Sequence, residues 1–161
     1  MSVFSIRVLS TIRNLFGRPK PAADEAWLRQ LGETSIFVIS ATLSEGIDAS
    51  TLTKEQLLAE IRQALERDRE NQQKGYRLFI YDSAGQCRLP FFTSNDHAQK
   101  FCGEYSKERN RCFPFMVLQT KGDFLGRVVP ASCDVVVMND KCDDERVLTE
   151  AEMSAALRLW G

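Results

Sequence analysis

The chain is expected to fold as an α+β domain: one mixed, mainly antiparallel sheet of about five strands with three to four packed helices. Three observations lead there. Short β-type runs alternate with segments of helical period. Two of those runs, residues 76–82 and 87–92, are separated only by Ser83-Ala84-Gly85-Gln86, a hairpin signal. Three threonines, Thr53, Thr93 and Thr149, stand three residues before Gln56, Asp96 and Glu152, the spacing that opens helices.

Taken in order, residues 24–31 place Trp27, Leu28 and Leu31 on one side and read as a short helix stopped by Gly32. Residues 35–41 (SIFVISA) are apolar on both alternating faces, as in a strand covered on both sides. After a loop with Gly46, Thr53 opens a helix whose inward stripe is Leu57, Leu58, Ile61, Ala64 and Leu65. No large apolar residue occurs from Glu66 to Lys74, so that stretch projects into solvent until Gly75 ends it. Beyond the hairpin, Thr93 is the expected cap of a helix in which Ala98, Phe101, Cys102 and Tyr105 recur at i, i+3, i+4 and i+7. A strand over 113–119, a turn at Gly122, a short extended piece over 125–129 and a strand over 133–138 follow. Thr149 with Glu152 opens the last helix, which turns Met153, Ala156, Leu157 and Trp160 inward.

A length of 161 residues suits one core and not two. The net charge of −1 disfavours a general nucleic-acid binder, but it conceals an asymmetry. Residues 1–20 carry Arg7, Arg13, Arg18 and Lys20 with no acid, while the rest holds 17 basic and 22 acidic side chains. Phe4, Val8, Leu9, Ile12, Leu15 and Phe16 fall near one helical face, closed by Gly17, Pro19 and Pro21. The expected organisation is a basic amphipathic arm over 1–21 and a single domain over 22–161, with the helix near 53–74 as an insertion. Two readings of the arm stay open: a membrane-surface or partner-binding helix using Phe4, Val8, Ile12 and Phe16, or a segment that is mobile or packs on its own domain. Arg7 and Arg13 break the apolar core a signal peptide needs, and no other stretch nears the roughly 18 apolar residues of a membrane span. The five cysteines, spaced by 15, 10, 21 and 9 residues, form no C-x-x-C pair. Reduced thiols in a cytoplasmic protein are the expectation.

Residues 89–94, Leu-Pro-Phe-Phe-Thr-Ser, end the hairpin and open a helix containing Phe101. An apolar strand, a glycine turn, a second apolar strand ending Met138-Asn139 and a Leu148-Thr149 helix start follow in order. This resembles the N-terminal domain of the SseB-type bacterial proteins over residues 76–157, about half the chain. Two departures stand out: Asp140 follows Asn139 where that pattern has proline, and the helix near 53–74 is additional. The resemblance implies a small α+β domain of a bacterial cytoplasm and no agreed catalytic set. The motif itself reads structurally, with Pro90 at a strand end or edge and Phe91 and Phe92 on opposite faces.

For chemistry, His97 is the only imidazole, placed at the start of the Thr93 helix, where a neutral ring is favoured. Cys102 lies five positions on, about 140° around the helix, and cannot face it. Cys87, Cys102 and Cys133 fall on inward periods as small core hydrophobes, which leaves Cys112 and Cys142 as the thiols open to reaction. Residues 140–152 hold Asp140, Asp143, Asp144 and Glu145, yet a calcium loop there would need glycine at Glu145 and glutamate at Ala151. A solvated acidic loop is expected instead, with no metal. No phosphate-binding glycine motif occurs, so no cofactor is expected. Lys107, Arg109 and Arg111 suit a helix C-terminus.

The function expected is a non-catalytic protein-interaction or regulatory module, such as an immunity-type partner. Its candidate contacts are Glu66, Arg67, Arg69 and Glu70 on the inserted helix and Asp140, Asp143, Asp144 and Glu145 on the acidic loop. A protein partner is implied, and no nucleic acid. The alternatives are a small enzyme using His97 with Asp96, Ser94 or a thiol, and a peripheral membrane adaptor working through residues 1–16.

Overall fold

The computed structural model describes residues 24–40, 45–72, 78–129 and 133–161. The arm over 1–21, with Phe4, Val8, Ile12 and Phe16, lies outside the described residues, as do Ala41 and residues 73–77 at the ends of three expected elements. The described elements are α1 (Glu25–Glu33), β1 (Ser35–Ile39), α2 (Lys54–Gln72), β2 (Tyr81–Ser83), β3 (Gln86–Phe92), α3 (Asn95–Arg109), β4 (Val117–Lys121), α4 (Leu125–Val128), β5 (Val135–Met138), β6 (Arg146–Val147) and α5 (Glu150–Trp160). The fold is α+β, as expected.

The strands form one mixed sheet in the order β4-β1-β3-β5-β6, with β2 also on β3. Only the β3–β5 pair is parallel among the described strands. The β2–β3 hairpin turns at Ala84 and Gly85, with φ of 51° and 77°. That pair of positive φ values is the type I′ geometry suited to the strand twist.

The sheet is covered on both sides, and β1 shows why its run is apolar throughout. Ile36 and Val38 enter one core with Leu28, Leu31, Leu89, Phe91, Val136, Ala156 and Trp160, beneath α1 and α5. Phe37 and Ile39 face the other, an aromatic cluster of Phe79, Tyr81, Phe92, Phe101 and Tyr105 beneath α3. Phe91 and Phe92, adjacent in β3 and both fully buried, serve opposite cores. Among the described residues, helix α2 supplies none to these two clusters, although its Ala64 is buried.

Four local expectations are corrected by distant contacts. Gly32 does not stop the first helix: it lies within α1, which ends at the Thr34 C-cap. It is small because Trp160 lies on it; a Cβ at Gly32 would come within 2.6 Å of Trp160 Nε1, which donates to the Leu28 carbonyl at 3.1 Å. Residues 125–128 are helical instead of extended. They follow a 3₁₀ turn at residues 122–124 that presses Gly122 on α1, where a Cβ would meet the Leu31 carbonyl oxygen at 2.1 Å. Pro90 sits in the central strand, at neither edge nor end. The Cys87 and Phe91 carbonyls accept from the amides of Asp134 and Asn139, which flank β5, so alternation turns Pro90 to the other edge. The register there sets Ile39 opposite, and the Ile39 carbonyl accepts instead from the Phe79 amide at 2.8 Å. The missing proline N–H leaves no partner stranded. Finally, the strand expected over 113–119 runs over Val117–Lys121, paired to β1 through five register positions.

Two glycines give a test of opposite sign. Gly103 lies in α3 with nothing within 4 Å of a built Cβ, so Gly103→Ala is expected to stabilise by about 1 kcal/mol through helix propensity. Gly122→Ala is expected to destabilise by about 2 kcal/mol, since backbone must move. Urea-unfolding midpoints check both.

Candidate functional site

Where the parallel pair β3–β5 ends, both strands turn out of the sheet beside the start of α3. Ser94, not Thr93, caps that helix: its Oγ accepts from the His97 amide at 3.2 Å. Thr93 is used differently. Its amide and hydroxyl both donate to Asn139 Oδ1, at 2.9 and 3.1 Å. Asn139 Nδ2 donates to Thr93 Oγ1 at 3.0 Å and to Asp144 Oδ2 at 2.8 Å. Asn139 is fully buried and holds φ at 51°, a left-handed conformation that asparagine tolerates.

From Asn139 the loop to β6 runs back along α3. Asp144 Oδ1 lies 3.3 Å from His97 Nε2, Asp143 lies 3.8 Å from Lys100 Nζ, and Lys141 Nζ donates to both oxygens of Glu108 at 2.8 and 2.9 Å. Lys141 is held at φ 62°, disfavoured for lysine. Its amide bond to Glu145 Oε2, 2.9 Å, closes the loop on itself. Cys142 Sγ points at the His97 carbonyl at 3.8 Å. The acidic segment is thus a clasp on α3 and only partly a solvated face. Asp143 is open to water, whereas Asp140, expected on the surface, is buried at 1% exposure.

Asp140 is buried because β2 and β3 reach it from below. Tyr81 donates its hydroxyl to Asp140 Oδ2 at 2.6 Å, and Arg88 Nη2 lies 3.5 Å from Asp140 Oδ1 and 3.3 Å from Glu145 Oε1. Arg88 Nε has no hydrogen-bond partner. Burial raises the Asp140 carboxyl above its ordinary range, and the Glu145 hydrogen bond adds to this against the Tyr81 hydroxyl and Arg88. Burial acts on Glu145 in the same direction, but the Lys141 amide, Asp140 and Arg88 together hold it low. Of the two carboxyls, the protonated form is thus favoured at Asp140 and the ionised form at Glu145. Tyr81 is pushed upward by burial and by Asp140, so it stays a donor.

A row of hydroxyl, imidazole and carboxylate is also present. Ser94 Oγ lies 2.7 Å from His97 Nδ1, and His97 Nε2 faces Asp144. With the proton on Nε2, Ser94 donates to Nδ1 and His97 donates to Asp144. Asp96 lies in the same first helical turn and enters none of these bonds. The thiols are muted. Burial pushes Cys102 up to about 12, and it raises Cys87, Cys133 and Cys142 as well, with Asp144, Asp143 and Asp140 adding to the effect at Cys142. Cys142 is buried and Cys112 half-buried. Cys112 lines a groove of about 520 Å³ with Asp48, Ser50, Lys107, Asn110 and Arg111. A second, apolar cavity lies between α4 and α5, beside Trp160. His97 lines neither of the two.

Glu66, Arg67, Arg69 and Glu70 are exposed on α2, which packs along none of the elements carrying this network. Asp140, Asp144, Glu145 and His97 are brought together; the α2 charges stand apart from them. Sequence reasoning missed Tyr81 and Arg88, whose roles depend on a loop about 50 residues away. It also missed Asn139 as the joint, although asparagine at a strand end before a charged loop is a signal for left-handed backbone. No group of three or more His, Cys, Asp or Glu among the described residues is arranged to hold a metal ion. No described helix is long and apolar enough to cross a membrane. No family model, curated protein or solved structure matches the chain.

The raised Asp140 carboxyl gives a pH test. Folding raises the Asp140 pKa above 3.8, so the stability it contributes is complete below the unfolded value and is lost as pH rises through the folded one. Asp140→Asn removes this titration. The variant is expected to gain stability relative to wild type as pH rises above the ordinary aspartate value of 3.8. Urea midpoints taken from that value upward measure it, and a relative loss would place the proton elsewhere.

Proposed function

We propose that this chain is a non-catalytic protein-interaction or regulatory module of a bacterial cytoplasm, of the kind that acts as an immunity-type partner, and that it meets its protein partner through the outer face of α2. The observation behind this reading is that α2, a 19-residue helix, enters neither of the two core clusters among the described residues and carries Glu66, Arg67, Arg69 and Glu70 exposed toward its C-terminal end. A helix of this length is marginal without packing, and its mixed charges suit a partner face of complementary pattern, where they set specificity and association rate. The polar groups of the α3 corner, by contrast, are largely spent on one another. Within the acidic loop, Asp143 is the carboxylate left to reach outward, with Asp144 and Glu145 partly engaged. The resemblance of residues 89–94 to the SseB-type pattern supports the same reading, since it implies no catalytic set.

A second reading rests on the Ser94–His97–Asp144 row, which has the residue types of an acyl-transfer site. Against it, Ser94 Oγ already serves as the helix cap, and a nucleophile must leave that role to attack.

The test is co-purification with the product of the neighbouring reading frame. The fourfold variant Glu66→Lys, Arg67→Glu, Arg69→Glu, Glu70→Lys is expected to weaken that association at least tenfold with an unchanged circular-dichroism spectrum. Association equal to wild type would overturn the α2 contact. Hydrolysis of an activated ester by the wild-type chain, lost in Ser94→Ala, would turn the reading to the enzyme.

A further inference from the structure

Among the described strands β4 lies at one end of the sheet, paired to β1 alone. At the two ends of that ladder the Ser40 amide donates to the Met116 carbonyl at 2.9 Å, and the Gly122 amide donates to the Thr34 carbonyl at 3.0 Å. In an antiparallel ladder every second residue turns its N–H and C=O toward the neighbouring strand. Leu118 and Thr120 therefore face β1, while Val117, Gln119 and Lys121 turn their backbone groups outward. The Lys121 carbonyl opens the 3₁₀ turn at residues 122–124. Among the described residues no backbone or side-chain group crosses the edge to pair with the other outward groups. The β2 and β6 strands are short, three and two residues. By contrast β4 has five residues in unbroken register, without proline or glycine, and Gln119 at its centre is exposed. An edge of that kind is a template for a further strand.

We propose that β4 is a homodimer interface, pairing antiparallel with β4 of a second copy about a twofold axis at Gln119. The strand is self-complementary in this register. Gln119 exchanges both backbone bonds with Gln119 of the second copy, and each Lys121 amide donates to the Val117 carbonyl of the other chain, as an isologous contact requires. The neighbouring registers of the same parity fail. Sliding one strand by a pleat repeat sets Lys121 against Phe115, whose amide already donates to the Phe113 carbonyl at 2.9 Å. Sliding it the other way sets Val117 against Asp123, which lies in the 3₁₀ turn.

The same two boundaries favour a second copy over a peptide. A longer extended peptide finds no backbone partners beyond Val117, Gln119 and Lys121, and it must be ordered as it binds. A second β4 has the matching length and is already ordered on its own β1. Charge agrees with the antiparallel sense. Lys121 lies opposite Val117, which its aliphatic stem can cover, and the two lysines stand roughly 14 Å apart along the ribbon, beyond a screening length of about 8 Å. A parallel pairing in register would set Lys121 beside Lys121. The proposal does not depend on what α2 meets.

Gln119→Glu and Gln119→Lys, made separately, test this, because only this register sets position 119 against itself. Sedimentation equilibrium of the wild-type chain is expected to show a monomer–dimer equilibrium. Each variant alone is expected to dimerise at least tenfold more weakly, since like charges meet directly across the strands. An equimolar mixture of the two is expected to associate at least tenfold more tightly than either alone. In hydrogen exchange read by NMR, the Gln119 and Lys121 amides should gain protection as wild-type concentration rises, while the Leu118 and Thr120 amides stay protected throughout. A wild-type chain that remains monomeric up to about 1 mM would overturn the proposal. So would a dimer that both variants leave unchanged, or one that the mixture does not restore. Gln119 and Lys121 amides protected at every concentration in a monomer would mean that the chain covers its own edge, and would overturn it as well.

Discussion

The amide of Thr93 leaves the sheet at the end of β3, where Thr93 is exposed but its acceptor Asn139 is buried, and a buried polar group left without a partner costs about 1–3 kcal/mol. Asn139 Oδ1 accepts it at 2.9 Å, and Asn139 can do so because its own backbone turns left-handed at the end of β5. One side chain thereby ties together the ends of the two parallel strands. Its Nδ2 then draws in Asp144, Asp144 reaches His97, and the loop is laid along α3 as far as Glu108. The burial of Asp140 beneath Tyr81 and Arg88 follows from the same path, because the loop can lie on α3 only if Asp140 points into the sheet.

That dependence bears on function. A serine, a histidine and several carboxylates gathered beside parallel strand ends have the residue types of a catalytic centre. Each nevertheless has a structural duty whose loss would open the corner: Ser94 caps α3, Asp144 anchors the loop, and Asp140 receives Tyr81 and Arg88. Helix α2 is the converse. Its described residues enter neither of the two core clusters, and Glu66, Arg67, Arg69 and Glu70 are exposed on it.

Legibility in the sequence followed the range of each interaction. The Thr149–Glu152 capping box, the Thr53–Gln56 pair and the Ala84-Gly85 turn involve residues at most three apart, and each appears in the structure where its spacing put it. The doubly apolar run of β1 was equally readable, since burial on both faces leaves no other pattern. The misreadings were set by residues far along the chain. Thr93 and Ser94 are both good caps, and Asn139, 46 positions away, takes the first and leaves the second to the helix. Gly32 looked like a stop but is a seat for Trp160. Asp140 looked solvated among its acidic neighbours, and the partner that buries it, Tyr81, lies 59 positions upstream.

The most direct measurement of the central role of Asn139 is a comparison of Asn139→Gly with Asn139→Ala by chemical unfolding together with the amide-proton shift of Thr93. Glycine keeps the left-handed backbone and removes only the side chain. Both variants are expected to lose about 2 kcal/mol or more with the buried Asn139 side chain and its bonds to Thr93 and Asp144, alanine losing about 1 kcal/mol further from its backbone. The His97 and Thr93 resonances should shift together in each. Stability within about 0.5 kcal/mol of wild type in the glycine variant, with His97 unmoved, would show that the corner stands without Asn139 and would contradict the account.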